Sequence, residues 1–407
     1  MYEQYVKVWT SRLSVLCDIC QDIRKSYLVL DVGYHPDNFT GGSDGLLDQW
    51  LSFDYLSIKR NCMRFVFFTD IHLLENKDSI IGFEKCLDRM LAFDPQLLIN
   101  GGDLGVTTEA VNTYYAMIKE LPVPVYQVNG NHEICNGSLI PEEAGQFSYS
   151  FDDHGIHFVI FDTVRYFEPT DEHPHNWYFV ADQQNLEWLA ADLAGIPKQM
   201  PVILASHCAL STSAPFRFGQ KIGMEFPVNE VTDADKVLDL LKSFENVATL
   251  HGHDHENCRH SVEGIQILTT AAVAGGWWRN GLDSPNVSGE PQGFRVIDID
   301  SGQIRSRYVA LQESQPQLAS WYVETAADRY FINVFDASPE TQVYVDDIGK
   351  LQPLDPFSNS AKSLSPHFYE FSAKNIEKIA SKKTLGLTII FNSGQTNRLE
   401  IDCPFFS

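Results

Sequence analysis

The 407-residue sequence predicts an α/β core with a mixed, largely parallel sheet, followed by a small β-rich domain. Three observations predict it. From Arg64 onward, apolar strand-like runs alternate with helix-period patterns, which implies strands joined by helical crossovers. A hairpin pattern, Phe147–Phe151 with Ile156–Phe161 around Asp152–Gly155, makes the sheet mixed. Beyond a polar stretch at 313–320, short strand patterns separated by turn residues take over.

The elements follow in order. Phe65–Phe68 is a strand, and helix-spaced apolar residues continue through Ile80, Phe83, Leu87 and Leu91. Leu97–Asn100 is a strand, Thr108–Leu121 a helix and Val123–Val128 a strand, leading to the hairpin. A helix at Asp182–Leu193 precedes the strand Val202–Ala205, and a helix at Asp233–Phe244 precedes the strand Val247–Leu250. Ile265–Thr270 and Phe294–Asp300 are further strands. Tyr330–Phe335, Gln342–Val345, His367–Ser372 and Leu385–Phe391 are the short strands of the last part. These patterns set an α/β domain at 63–312, a linker at 313–320 and a β-rich domain at 321–407, read as a sandwich. Residues 1–62 mix an amphipathic stretch with a Gly/Asp/Asn-rich loop at Asp37–Gly45 and carry no motif. They are expected to be a loosely attached N-terminal extension.

Composition narrows the function. With 44% hydrophobic residues the chain can bury a sizeable core. Its net charge of −24 repels polyanions, so a nuclease or a nucleic-acid partner is disfavoured. Eight scattered cysteines read as free thiols in a reducing compartment, and Cys17 and Cys20 form a C-x-x-C without the second pair that a zinc site wants. No run approaches the length of a bilayer span, and the first thirty residues show no apolar signal region, so a cytoplasmic location without a membrane span is expected.

Five polar clusters stand at the ends of predicted strands. They are Asp70-Ile71-His72, Gly102-Asp103, Gly130-Asn131-His132-Glu133, His207, and His251-Gly252-His253-Asp254-His255. In open α/β sheets the ligand site lies beyond the carboxyl ends of the strands, so five such ends can converge. Spacing of two in Asp70/His72 and His253/His255 places both members on one side of an extended backbone. Imidazole and carboxylate donors suit zinc, manganese or iron, and the neighbouring glycines let the backbone crowd in beneath them.

With its blocks D-x-H, G-D, G-N-H-E, H and G-H-x-H in order from Asp70 to His255, the sequence resembles the calcineurin-like metallophosphoesterase superfamily. The resemblance implies an αββα sandwich with a dinuclear metal centre. It implies that Asp70, His72 and His255 hold one divalent ion, that Asn131, His207 and His253 hold the second, and that Asp103 bridges them. It implies that His132 is no ligand but meets the scissile phosphate or protonates the leaving group. A purple-acid type is excluded because His72 is present and Leu104-Gly105-Val106 supplies no tyrosine after the G-D block. Gly275-Gly276-Trp277-Trp278 and Pro291-Gln292-Gly293-Phe294 are similar to a bacterial subgroup with an extra C-terminal β-domain. The activity implied is hydrolysis of a small phosphodiester by a metal-bridging hydroxide, with a small-molecule phosphate ester as partner. In such chemistry two cations about 3.5–4 Å apart clamp phosphate oxygens and activate water. The alternatives are a phosphomonoesterase of the same fold and a non-catalytic metal-binding scaffold.

Other residues carry plainer readings. His251 is expected to pack or to support the ligands rather than bind metal. His154, His157, His173 and His175 are read as solvated loop residues, with His173 and His175 near a substrate entrance, and Asp152 and Asp153 as turn formers. Trp277, Trp278 and Arg279 are candidate substrate-binding residues: an aromatic wall with a phosphate-binding arginine, or core packing.

Overall fold

The computed structural model describes residues 62–405 apart from 135–146, 168–175, 222–224, 282–283, 312–317, 360–366 and 392–394. The chain divides into a unit Met1–Asp54 and a compact unit Tyr55–Ser407. The extension at 1–62, except Cys62, lies outside the described residues, as do Cys17, Cys20, Cys135, His173 and His175.

The core alternates as expected. In chain order it comprises β1 (Cys62–Phe68), α1 (Lys77–Leu91), β2 (Leu97–Asn100), α2 (Thr108–Lys119), β3 (Val125–Gln127), α3 (Asn131–Ile134), β4 (Tyr149–Asp153) and β5 (Ile156–Ile160). There follow β6 (Val164–Tyr166), β7 (Trp177–Phe179), α4 (Gln183–Leu193), β8 (Val202–Ala205), α5 (Ala214–Arg217), α6 (Ala234–Leu241) and β9 (Val247–His251). The core ends with β10 (Cys258–Val262), β11 (Ile265–Thr269), β12 (Gly293–Asp300) and β13 (Gln303–Ala310).

Two mixed sheets face each other. One runs β13-β12-β1-β2-β3, parallel across β1, β2 and β3. The other runs β10-β11-β9-β8-β5-β4, parallel from β5 through β8 and β9 to β11. The period-two alternation of β1 decides which core each side chain joins. Phe65 and Phe67 pack between the sheets with Leu97, Ile99, Phe158, Ile203 and Leu250. Val66 and Phe68 turn outward onto Phe83, Leu87 and Met90 of α1 and Val111 and Tyr114 of α2. On the outer side of the second sheet, Val202 and Leu204 pack against Leu189 of α4 and Val237 and Leu241 of α6. The result is four layers, an αββα sandwich. Helix starts are fixed by side-chain caps: Asn76, Thr107 and Asp182 each accept a backbone N–H three residues on.

The last part is built from β14 (Ala319–Glu324), β15 (Arg329–Val334), β16 (Gln342–Val345), β17 (Gly349–Lys350), β18 (Gln352–Pro353), β19 (Phe368–Glu370), α7 (Ala373–Ile379), β20 (Thr384–Ile390) and β21 (Thr396–Asp402). Its sheets, β14-β15-β19-β18 and β17-β16-β20-β21, share a core including Ile332, Val343, Tyr369, Leu387 and Ile389. Polar contacts tie this part to the αββα layers. Asn333 Nδ2 donates to the Ser288 carbonyl at 2.7 Å, and the buried Arg295 guanidinium donates to Asp336 at 2.7 Å.

Several expectations need correction. β14 begins at Ala319, so the end of the proposed linker is already strand. Asp152 and Asp153 belong to β4 rather than to the turn. His157 is buried, not solvated: its ring nitrogens lie 2.7 Å from Asp152 and 2.9 Å from Asp192. The polar edge strands β10 and β13, with Arg259, Ser261, Arg305 and Arg307, carried too little apolar alternation to be read as strands.

Candidate metal centre

The five strand-end clusters converge. Asp70 and His72 follow β1, Asp103 follows β2, Asn131 and His132 open the helix after β3, His207 follows β8, and His253 and His255 follow β9. Their backbones zip together, with the Asp70 N–H on the Gly102 carbonyl at 3.0 Å and the His72 N–H on the Asp103 carbonyl at 2.9 Å. The sequence reading of Asp70/His72 and His253/His255 as extended pairs is corrected here. Asp70, His72, Asp103, His253 and His255 all sit at positive φ, between 40° and 69°. Left-handed non-glycine residues are strained and persist where packing fixes them, as at functional sites. The kinks, rather than pleating, aim these side chains inward.

Two glycines make the crowding possible. A Cβ on Gly130 would collide with Asp103 Oδ1, and one on Gly252 would collide with Thr69 Oγ1 and Asp70 Oδ2.

Three overlapping donor groups result. Asp70, His72 and His255 bring one ligand atom each into a first cluster, Asp103, His207 and His253 form a second, and His72, Asp103 and His132 form a third that shares a member with each of the others. In the first set, His255 Nε2 lies 3.3 Å from Asp70 Oδ1 and 2.9 Å from His72 Nε2. In the second, His207 Nε2 lies 3.3 Å from Asp103 Oδ2 and 3.2 Å from Asn131 Oδ1. Asp103 Oδ2 is also 3.6 Å from His72 Nε2, so this carboxylate stands between the sets. The outer atoms are already committed. His207 Nδ1–H donates to the Gly101 carbonyl at 2.7 Å and His253 Nε2–H to the Val228 carbonyl at 2.7 Å, which turns the other nitrogen of each ring inward. Asp70 Oδ2 accepts from Thr69 Oγ1 and from the His253 N–H, while its buried Oδ1 has no hydrogen bond.

This donor set fits divalent cations. Two imidazole nitrogens facing each other at 2.9 Å share at most one proton, and an orphaned buried carboxylate oxygen beside them is costly without a positive partner. The electrostatics agree. Burial pushes the Asp103 carboxyl up, but His207 and then His132 outweigh it and hold it well below the usual range. Burial likewise opposes a charge on His207, yet Asp103 lifts its pKa to about 10. Burial takes His72 down to about 3 and His253 to about 4, leaving both as neutral donors. Protonated imidazole thus stands in for positive charge that the carboxylates demand.

His132 is only partly buried. Its N–H donates to Asp103 Oδ1 at 2.9 Å, and its ring stands edge-on to His72 at 4.7 Å and to Trp277 at 5.5 Å. His251 has both nitrogens engaged, with Ser206 at 3.1 Å and Thr249 at 2.8 Å, so it supports the loop from beneath.

The three residues of the aromatic segment part company. Trp277 stacks on His72, centroids 3.8 Å apart, and reaches His255 at 6.0 Å. Trp278 is buried in the α1 core, and its indole N–H donates to the Ile71 carbonyl at 2.7 Å. Its reading as a substrate contact is therefore corrected: it pins the loop between Asp70 and His72. Arg279 is exposed, with no ion pair among the described residues.

Glu133 ends the G-N-H-E block, and its function is structural. Its buried carboxylate accepts from the N–H groups of Asp103 at 2.8 Å, Leu104 at 2.7 Å and Gly130 at 2.6 Å. It clamps two ligand loops together. Burial, and then Asp103, push its pKa up to about 7 against those three donors.

An αββα sandwich whose strand ends gather histidine, aspartate and asparagine can hold metal ions. Residues 63–257 match the family model described as calcineurin-like phosphoesterase, a family of metal-dependent phosphoester hydrolases. Three solved structures are similar in fold. A dimetal phosphatase from Danio rerio is 17% identical, with 60% of this chain and 98% of that chain covered and a TM-score of 0.44. A purple acid phosphatase from yellow lupin (Lupinus luteus) is 16% identical, with 63% and 52% covered and a TM-score of 0.45. A phosphopantetheinyl hydrolase from Mycobacterium tuberculosis is 16% identical, with 53% and 92% covered and a TM-score of 0.36. No curated protein matches the chain by sequence. Among the described residues no helix is long and apolar enough to cross a membrane.

Proposed function

We propose that the domain hydrolyses a small phosphodiester at two divalent cations, manganese, zinc or iron, with His132 as general acid. The observation that carries this reading is the position of Asp103 between the two donor sets, 3.3 Å from His207 and 3.6 Å from His72. Asp70, His72 and His255 would hold one cation, Asn131, His207 and His253 the other, and Asp103 both. When bound, such a pair lowers the pKa of water toward neutrality and offsets charge on phosphate oxygens.

The chain's own residues supply the rest. Phe179 and Trp177 pack against His253 at 4.8 and 5.6 Å and limit water behind it. Trp277 walls the other side over His72. His132, held by its backbone to Asp103 and only partly buried, is the residue assigned to protonate the departing oxygen. The −24 charge supports a small substrate rather than nucleic acid, and five free thiols among the described residues support a reducing, cytoplasmic setting.

With manganese present, bis-p-nitrophenyl phosphate is expected to be cleaved faster than p-nitrophenyl phosphate. The reverse order makes the protein a monoesterase, and cleavage of neither makes it a scaffold. His132→Ala is expected to cut turnover by about 10²–10⁴-fold while metal content stays unchanged. Loss of metal on that substitution contradicts the role given to His132.

A further inference from the structure

A second cavity lies where the αββα layers meet the C-terminal sandwich. It has a volume of about 410 Å³ and is lined by Ser211, Arg259, His260, Leu354, Phe357 and Tyr369 among others. That size falls in the ordinary range for small-molecule sites. Arg259, on β10, is the only arginine among the described residues that line it. The Arg259 side chain is only 16% exposed, yet among the described residues its guanidinium makes no hydrogen bond. Its single ion-pair contact is Asp336 Oδ2 at 4.0 Å. That carboxylate is already taken, by Arg295 at 2.7 Å and by the Tyr308 N–H at 3.1 Å.

A guanidinium offers five N–H donors in a plane, and withdrawing it from water without acceptors is costly. The polar groups around it look to each other instead. His260 Nε2 lies 3.1 Å from Ser211 Oγ, Tyr369 donates to the Thr341 carbonyl at 3.1 Å, and Asp355 accepts the Phe357 N–H at 3.0 Å. Thr212, Ser213, Ser338 and His367 add polar atoms to the wall, and its apolar part includes Leu354, which is buried, and Phe357, which is 60% exposed.

We infer that this cavity binds a small organic anion, with a carboxylate or phosphate head paired to Arg259 and a compact apolar body against Leu354 and Phe357. A planar oxyanion meets a guanidinium through two parallel hydrogen bonds, which Asp336 at 4.0 Å does not provide. Burial lowers the Arg259 pKa, the direction expected of a cation short of partners. The site is separate from the strand-end cluster but is built on the same loops. β10 starts three residues after His255, and Thr212, also on the cavity wall, donates to Asp254 at 3.4 Å.

Calorimetric titration of the metal-loaded protein with benzoate, phenylphosphonate and benzyl alcohol tests this. Benzoate, phenylphosphonate or both are expected to bind, and the preferred head separates a carboxylate from a phosphate ligand. Benzyl alcohol, which has the body without the charge, is expected not to bind. Arg259→Met is expected to weaken the interface binding by about tenfold or more, while Arg259→Lys keeps part of it. Phenylphosphonate held at the metals persists in both variants and is counted as the second site. A crystal of the wild-type protein soaked in the preferred probe is expected to show it against Arg259, a result that needs no variant to fold. The inference is overturned if neither oxyanion binds at millimolar concentration, if Arg259→Met binds as well as wild type, or if the probe occupies only the strand-end cluster.

Discussion

Replacing Asp103 by Asn is expected to abolish measurable phosphoester hydrolysis and to weaken both cation sites at once. Asn keeps the shape, and its amide oxygen can still accept the His132 N–H now bound at 2.9 Å by Oδ1. The backbone bond from His72 to the Asp103 carbonyl is untouched. What disappears is one negative charge facing both donor sets. At an effective dielectric of about 20, a unit charge at about 4 Å is worth about 4 kcal/mol, or about 10³-fold in affinity. Cation affinity by calorimetry and activity with manganese check this, with circular dichroism as the folding control. A variant that loses only one cation, or keeps its activity, contradicts a shared position for Asp103.

Glu133→Gln is expected to act on stability first and on metal second. The wild-type carboxylate receives three backbone N–H groups, two on Oε2 from Asp103 and Gly130 and one on Oε1 from Leu104. An amide has only one oxygen, so its NH₂ faces at least one buried N–H whichever way it turns. Leaving one buried donor unsatisfied costs about 1–3 kcal/mol. Because those donors belong to the loops that carry Asp103 and Asn131, cation affinity is expected to fall by about 10–100-fold as well. Thermal unfolding of metal-free and metal-loaded protein separates the two effects. An unchanged melting temperature in the metal-free state would show that the clamp has no structural weight.

Much of this was legible in the chain. Asp70, His72, Asp103, Asn131, His207, His253 and His255 were readable because each is polar immediately beyond an apolar strand, where solvent or a ligand must explain it. The runs Phe65–Phe68 of β1 and Val202–Ala205 of β8 are apolar throughout because both of their faces meet a core, and the helical period of α1 is clear because it faces a core on one side. The conformations at the ligands were not legible: a spacing of two suggests pleating, whereas tertiary packing holds these residues at positive φ. Trp277 and Trp278 are identical in type, and only the fold sends one over His72 and the other into the core. Glu133 and Arg259 were missed for a shared reason. Their importance lies in which partners surround them, three N–H groups in one case and, among the described residues, no hydrogen-bond acceptor in the other. Local sequence does not encode either environment.

The most direct check is the number of divalent ions each chain holds after stripping with a chelator, reloading with manganese and removing the excess, read by elemental analysis. Two per chain is the value expected from the donor sets around Asp70 and His207, with Asp103 serving both. One ion, or none, would contradict the dinuclear reading.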